Sequence, residues 1–148
     1  MRPVAVIPVA GAGTRLRPLT DRTPKPLLEV AGKPILAHIL DQVAEAKPER
    51  VVLVVGPGPQ GERIHEYASR RGDLKIEHVV QAEPLGLGHA VAQAKDRVGS
   101  APILIVLGDT IALAPFEELT AHGSSLGVRE VDDPRRFGVA IVRDGRIT

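Results

Sequence analysis

Val4 to Val9 is an unbroken apolar run, the pattern of a strand covered on both faces, and it ends abruptly at Ala10-Gly11-Ala12-Gly13. After a proline-rich loop, Ile35, Leu36, Ile39, Leu40 and Val43 recur at helical spacing, so residues 34–46 read as an amphipathic helix opened by Pro34. Val51 to Val55 is a second buried strand, closed by Gly56-Pro57-Gly58-Pro59. A polar helix over residues 62–71, a strand over 74–80, a helix over 88–98 and a strand over 103–107 follow. Strand and helix thus alternate four times. That order predicts an α/β fold, a Rossmann-like three-layer α/β/α sandwich around a mostly parallel sheet with right-handed crossovers.

The last third has a different rhythm. Residues 115–122 form at most one short helix, residues 125–131 and 138–142 read as strands, and Asp144-Gly145 is the signal of a tight hairpin turn. Only Ile147 and Thr148 follow the Arg143-Asp144-Gly145-Arg146 segment that carries it, so the chain is expected to stop within a motif, as a fragment or with a partner supplying the return strand. No internal repeat, heptad pattern or linker divides residues 1–148, which read as one domain.

Composition narrows the classes. Of 148 residues 43% are hydrophobic and only 2% aromatic, so Val, Ile, Leu and Ala must fill the core. A chain of this length buries roughly two thirds of its unfolded surface without staples. There is no cysteine, which removes disulfides, thiolate nucleophiles and Cys-ligated metals. No window of about 18 apolar residues and no signal-peptide layout is present, so membrane spanning and secretion are disfavoured and a cytoplasmic location is expected. The net charge of +1 gives no reason to expect nucleic acid or a membrane surface as partner. Its distribution is uneven. Residues 1–33 hold six bases (Arg2, Arg15, Arg17, Arg22, Lys25, Lys33) against two acids (Asp21, Glu29), while the remainder is net acidic, which points to a small anionic ligand near the N-terminus.

The glycines that follow the first strand let backbone N–H groups approach phosphate oxygens where a Cβ would block them. Arg15 adds a planar fork that bridges phosphate oxygens, and Lys25 a mobile point charge that can follow a phosphorus centre as it becomes pentavalent. By itself a G-x-G turn more often just tightens an α/β connection. The dinucleotide fingerprint fails, because Leu16 stands where a third glycine is needed and Gly56 where an acid should follow the second strand. The Walker pattern fails as well: Gly32-Lys33 is followed by Pro34 and lacks the upstream glycine. The five histidines (His38, His65, His78, His89, His122) show no metal-ligand spacing and read as surface or helix positions.

The extended pattern is more specific. Val6-Ile7-Pro8-Val9-Ala10-Gly11-Ala12-Gly13-Thr14-Arg15-Leu16-Arg17-Pro18-Leu19-Thr20, then Pro24-Lys25-Pro26-Leu27-Leu28 and Gly32-Lys33-Pro34-Ile35-Leu36, resembles the signature of the sugar-1-phosphate nucleotidylyltransferases of the thymidylyl and uridylyl type. Gln81-Ala82-Glu83-Pro84-Leu85-Gly86-Leu87-Gly88-His89-Ala90, Leu107-Gly108-Asp109 and Asp133-Pro134-Arg135-Arg136-Phe137-Gly138-Val139 follow in that family's order, so the resemblance covers nearly the whole chain.

The resemblance implies a fold of the nucleotide-diphospho-sugar transferase type. It also implies transfer of a nucleoside monophosphate from dTTP or UTP to a sugar 1-phosphate, with glucose 1-phosphate the first candidate, releasing pyrophosphate with the help of Mg²⁺. On matching positions, the backbone of Ala10, Gly11, Ala12, Gly13 and Thr14 would hold the nucleotide, Arg15 the leaving pyrophosphate and Lys25 the reacting phosphates. Gln81 and Gly86 would recognise the base, Asp109 would ligate Mg²⁺, and the Gly138 backbone would lie beside the sugar. Read without the family, Asp109 could equally cap the turn at Thr110, and Gln81 could simply end a strand. The expected partners are the triphosphate and the sugar phosphate, with homo-oligomer formation left open.

The family continues past such a hairpin into a Glu-Lys-Pro segment and a second metal-binding Asp that these residues lack. The resemblance therefore implies a chain that binds nucleotide yet forms little nucleotide sugar by itself. Two other readings stay open: a nucleotide-binding module without catalysis, and a cytidylyltransferase for a non-sugar phosphate. Residues 6–11 and 84–89 lean to the uridylyl type and residues 135–139 to the thymidylyl type, so base and sugar are not decided.

Overall fold

In the computed structural model the described residues are 1–147 except Ala12, residues 120–122 and Phe137. The chain runs β1 (Val4–Pro8), α1 (Leu19–Arg22), β2 (Glu29–Val30), β3 (Lys33–Pro34), α2 (Ile35–Glu45), β4 (Arg50–Val55), α3 (Pro59–Ser69), β5 (Ile76–Val80), α4 (Leu87–Gln93), α5 (Lys95–Val98), β6 (Ile103–Ile105), α6 (Phe116–Leu119), β7 (Val142–Arg143) and β8 (Arg146–Ile147). Single 3-10 turns sit at Thr14–Leu16, Lys25–Leu27 and Pro134–Arg136.

The main sheet has four strands in the order β5-β4-β1-β6, every pairing parallel. Side chains alternate across it. Ala5, Ile7, Val51 and Leu53 face one side and pack with Leu36, Ile39, Leu40 and Val43 of α2, Ile64 and Ala68 of α3 and Phe116 of α6. Val4, Val6, Val52 and Val54 face the other and meet Ala90 of α4 and Ala94 just beyond it. Both faces of β1 and β4 are therefore dry, which is why these strands read as continuous apolar runs, and the expected three-layer α/β/α architecture is realised.

The topology fixes where a ligand belongs. From β1 the chain steps outward through α2 to β4 and through α3 to β5, then crosses back over α4 and α5 to place β6 on the opposite side of β1. Strand order reverses between β1 and β6, and in open parallel sheets such a switch point leaves a crevice at the carboxyl ends of the two strands. The segments that leave those ends are residues 9–13 and 106–109.

Several expectations need correction. The helix read over 88–98 is two helices. At the junction the Ala94 N–H turns to the Val91 carbonyl three residues back, and Ala94 is fully buried against the sheet. The polar helix starts earlier than residue 62, at Pro59, because proline is preset for a first helical turn. The strand over 103–107 is assigned only as Ile103–Ile105, although the Val106 and Gly108 N–H groups continue the bonding toward β1 at 3.1 and 3.3 Å. Residues 125–131 form no strand, and of 138–142 only Val142 is in one. Of the helix read over 115–122, Phe116–Leu119 is present and residues 120–122 lie outside the described residues.

The hairpin does close. β7 and β8 pair antiparallel, Val142 with Ile147 and Arg143 with Arg146, across Asp144 and Gly145, both at positive φ (50° and 73°) as a two-residue hairpin turn requires. The expectation that no return strand remains is thus corrected: two residues suffice. No helix is long and apolar enough to cross a membrane among the described residues.

Candidate functional site at the sheet switch point

Val9 extends β1 by one bond, its N–H on the Val54 carbonyl at 2.8 Å, and the glycines of the motif follow. Gly13 sits in the left-handed region (φ 61°), where a side chain is strained. A Cβ there would lie 2.9 Å from Thr20 Cγ2 and 3.2 Å from Lys25 Cβ. Buried Thr20 donates its hydroxyl to the Gly13 carbonyl at 2.9 Å. Gly13 is therefore demanded by the packing of the loop on the Lys25 segment, whereas Gly11 is exposed with open space around it, as a backbone kept free for a ligand would be. Ala12 lies outside the described residues. Ala10 is half-buried and Thr14 exposed at the start of the following 3-10 turn.

On the other side of the switch point Gly108 lets two strands touch. A Cβ on it would stand 2.4 Å from Val9 Cγ1 and 2.5 Å from the Pro8 carbonyl oxygen. Only a residue without a side chain lets the chain beyond β6 stay flush with β1, and Asp109 is the next residue. Its Oδ2 meets Lys25 Nζ at 2.7 Å, joining residues 84 positions apart. The two side chains keep 30% and 50% of their exposure, so this is an open pair. Lys25 holds the Asp109 carboxyl below its ordinary value, against the opposing pull of burial, and the Thr110 hydroxyl adds a bond to Oδ1 at 3.2 Å. Sequence reasoning named Lys25 and Asp109 separately but missed Thr20. Its only sequence signal is its place at the end of the Arg17-Pro18-Leu19-Thr20 turn.

The six bases of residues 1–33 are not one pool of charge. Arg2 donates to the Lys47 and Pro48 carbonyls at 2.8 and 2.7 Å, Arg17 pairs with Asp21, and Lys33 pairs with Asp41. Arg15, exposed beside the Gly13 turn, makes no side-chain hydrogen bond or ion pair with another described residue, so its guanidinium remains available to an anion.

Gln81 follows β5, its N–H on the Val55 carbonyl at 2.9 Å, and is buried. The structure brings it to Gly86: its side-chain amide donates to the Gly86 carbonyl at 3.2 Å and reaches His89 Nδ1 at 3.0 Å. Strands β5 and β6 lie three spacings apart, about 14 Å, with Gln81 beyond the carboxyl end of one and Asp109 beyond that of the other. That span suits a nucleotide lying with its base at one end and its phosphates at the other. Gly138 is exposed, and no backbone or side-chain hydrogen bond joins it to this edge among the described residues. Of the other histidines, His38 bonds the Val30 carbonyl and the His65 and His78 rings lie against each other, while His122 lies outside the described residues.

Among the described residues no group of three or more His, Cys, Asp and Glu could enclose a metal. A lone ionised carboxylate fits a different kind of cation. Mg²⁺ prefers hard oxygen donors, keeps several waters and is commonly held by one or two carboxylates together with a substrate's phosphates. Asp109 fits Mg²⁺ in that manner and no closed protein site is needed.

Comparison with known proteins identifies the family. Residues 4–148 match the family described as Nucleotidyl transferase. The chain is 42% identical over 135 residues to "Bifunctional protein GlmU" of Methanococcus vannielii, a match that covers 91% of this chain and 31% of that protein. It is 36% identical to the UTP–glucose-1-phosphate uridylyltransferase AglF of Haloferax volcanii, with 97% and 62% covered. Among solved structures it superposes on a Bacillus anthracis protein provisionally named glucose-1-phosphate thymidylyltransferase, in complex with a sucrose. The TM-score is 0.83 at 26% identity, over 97% of this chain and 61% of that one. The chain thus spans about a third of the Methanococcus relative's length, and with nearly all of its own residues matched it belongs to the nucleotidyl transferase family.

Proposed function

We propose that this chain binds dTTP or UTP across the carboxyl edge of its sheet and is the nucleotide-holding part of an enzyme that transfers the nucleoside monophosphate to a sugar 1-phosphate, glucose 1-phosphate being the first candidate. The observation that carries the reading is the Lys25–Asp109 pair, assembled at the switch point between the glycine turn and the end of β6. The named activities of the Haloferax and Bacillus relatives, uridylyl and thymidylyl transfer, support the same substrate class and leave the base open between the two.

The chemistry asks little covalent work of the protein. An anionic oxygen of the sugar 1-phosphate attacks the α-phosphorus, and the bond from that phosphorus to the bridging oxygen breaks as pyrophosphate leaves. The attacking oxygen is already ionised, so no general base is required. Catalysis then rests on alignment and charge neutralisation. An arriving triphosphate competes with Asp109 for Lys25. The ammonium moves from the carboxylate toward the α-phosphate, where it offsets the charge that builds as phosphorus becomes five-coordinate. Arg15 bridges the oxygens of the departing pyrophosphate. Asp109 would be the protein ligand of a Mg²⁺ ion, which would supply further neutralisation of the phosphate oxygens.

Release of pyrophosphate from UTP or dTTP with glucose 1-phosphate and Mg²⁺ is the assay, read beside calorimetric binding of each triphosphate. The expected result is preference for UTP or dTTP over ATP, with binding or turnover strongly reduced in Lys25→Ala and Asp109→Ala. Tighter binding of ATP, or two variants indistinguishable from the unmodified chain in both measurements, would overturn the reading.

A further inference from the structure

Gln81 retains only 6% of its surface exposure, so most of its amide is shut in among protein neighbours. The neighbours it meets decide which way round it sits. The Gly86 carbonyl can only accept, so the end of Gln81 that faces it at 3.2 Å is the NH₂. The same nitrogen lies 3.0 Å from His89 Nδ1. An amide NH₂ only donates, and His89 Nδ1 must therefore accept, which puts the proton of the neutral ring on Nε2.

The other side of the ring tests that assignment. His89 Nε2 faces the Gln93 amide nitrogen at 3.1 Å, and that nitrogen also lies 3.3 Å from the His89 carbonyl. A neutral imidazole has one acceptor, so both amides cannot donate to it together, and one must present its oxygen. Turning Gln81 would set its Oε1 against the Gly86 carbonyl in a buried position, leaving two acceptors face to face. Turning Gln93 forfeits one 3.3 Å bond at a half-buried position, and the freed NH₂ can reach water. Gln93 yields. His89 Nε2–H then donates to Gln93 Oε1, and Nδ1 stays an acceptor for Gln81. This leaves Gln81 Oε1 as the one end of that amide with no hydrogen-bond partner among the described residues.

We propose that His89 is a positioning residue for base selection: through Gln81 it leaves Oε1 as a fixed acceptor at the β5 end of the edge, so the site favours a base that presents an N–H there, the imide N–H of uracil or thymine. A base with an acceptor or a methyl at that position meets an oxygen that cannot turn over. The proposal rests on the reading of Gln81 as a base contact, and the experiment separates the two.

The first measurement is the tautomer of His89 by long-range ¹H–¹⁵N correlation on the labelled chain above neutral pH, with a pyridine-type Nδ1 and a protonated Nε2 expected. A protonated Nδ1 would overturn the proposal. The second is calorimetric affinity for UTP and for N3-methyl-UTP, which lacks the imide N–H. The unmodified chain is expected to prefer UTP about tenfold. His89→Leu should shrink that preference about threefold or more, and His89→Asn, whose side-chain oxygen can take the place of Nδ1, should restore it. A merely structural role would weaken both nucleotides together and leave their ratio alone. Equal affinities in the unmodified chain would sink the base contact itself, whereas a tenfold preference unchanged by His89→Leu would sink only the role of His89. Failure to bind UTP at all would remove both.

Discussion

Gly108→Ala tests how the site is built more sharply than deletion of a charged group does. The added Cβ would lie 2.5 Å from the Pro8 carbonyl oxygen and 2.4 Å from Val9 Cγ1, where ordinary contacts begin near 3.4 Å. The valine methyl can rotate away. The oxygen cannot, because β1 is held between β4 and β6 with ladder bonds on both sides. The end of β6 must lift by about 1 Å, a strain that costs about 1–3 kcal/mol in a packed interior. The Gly108 N–H to Pro8 bond, already 3.3 Å long, goes with it for about another 0.5–1.5 kcal/mol. The expected loss is about 2–4 kcal/mol, a large share of an ordinary domain's stability but short of all of it. Far-UV circular dichroism in urea is the assay, since the chain has no tryptophan. Gly72→Ala, with nothing within 4 Å of its Cβ, is the control and should fall within about 0.5 kcal/mol. Because Asp109 rides on the displaced segment, triphosphate affinity should also drop at a temperature where the variant is fully folded. A Gly108→Ala protein as stable as the control, with undiminished affinity, would refute the flush packing of β6 on β1.

Two further outcomes follow from the charges. Lys25 depresses the Asp109 pKa, so the pair's stabilisation is present above the unfolded carboxylate value near 3.9 and is lost as pH falls through the lower folded value. Carboxyl-carbon NMR should find an Asp109 midpoint below that of an ordinary Asp, moving upward in Lys25→Met; the same midpoint in both proteins would contradict the pairing. Arg15→Ala should weaken triphosphate binding by about 1.5–3 kcal/mol with little change in stability, while Arg2→Ala, which removes the bonds to the Lys47 and Pro48 carbonyls, should cost about 1 kcal/mol of stability and leave binding alone. Calorimetry and denaturation run on both variants would expose diffuse positive potential as the true cause if the binding losses came out equal.

The apolar run Val4 to Val9 and the 3.6-residue spacing of Ile35 to Val43 determined β1 and α2 without help, because burial on both faces or on one stripe is written directly into residue type. The same pattern logic sufficed for the alternation of strands and helices, and so for the layered fold. It failed where a strand depends on a partner. Residues 125–131 carry strand-like residue types, but β structure is stabilised by cross-strand neighbours, and none is paired with them among the described residues. The helix over 88–98 was legible as helical, yet its break at Ala94, a residue buried in the tertiary structure, left no mark in the local pattern.

The site divides in the same way. The glycine turn and its cations singled out Gly13 and Lys25, and the family resemblance Gln81 and Asp109, but the sequence has no means of stating that positions 25 and 109 lie 2.7 Å apart. That contact is made by strand order: β6 must cross back to lie beside β1, and Gly108 must lack a side chain, before Asp109 can reach the Lys25 turn. The direction of the Gln81 amide is likewise decided only when α4 docks and brings the Gly86 carbonyl and His89 to it. Residue identity supplied the chemical groups, and the tertiary structure supplied their distances and polarity, because interactions between sequence-distant groups exist only once the sheet has been ordered.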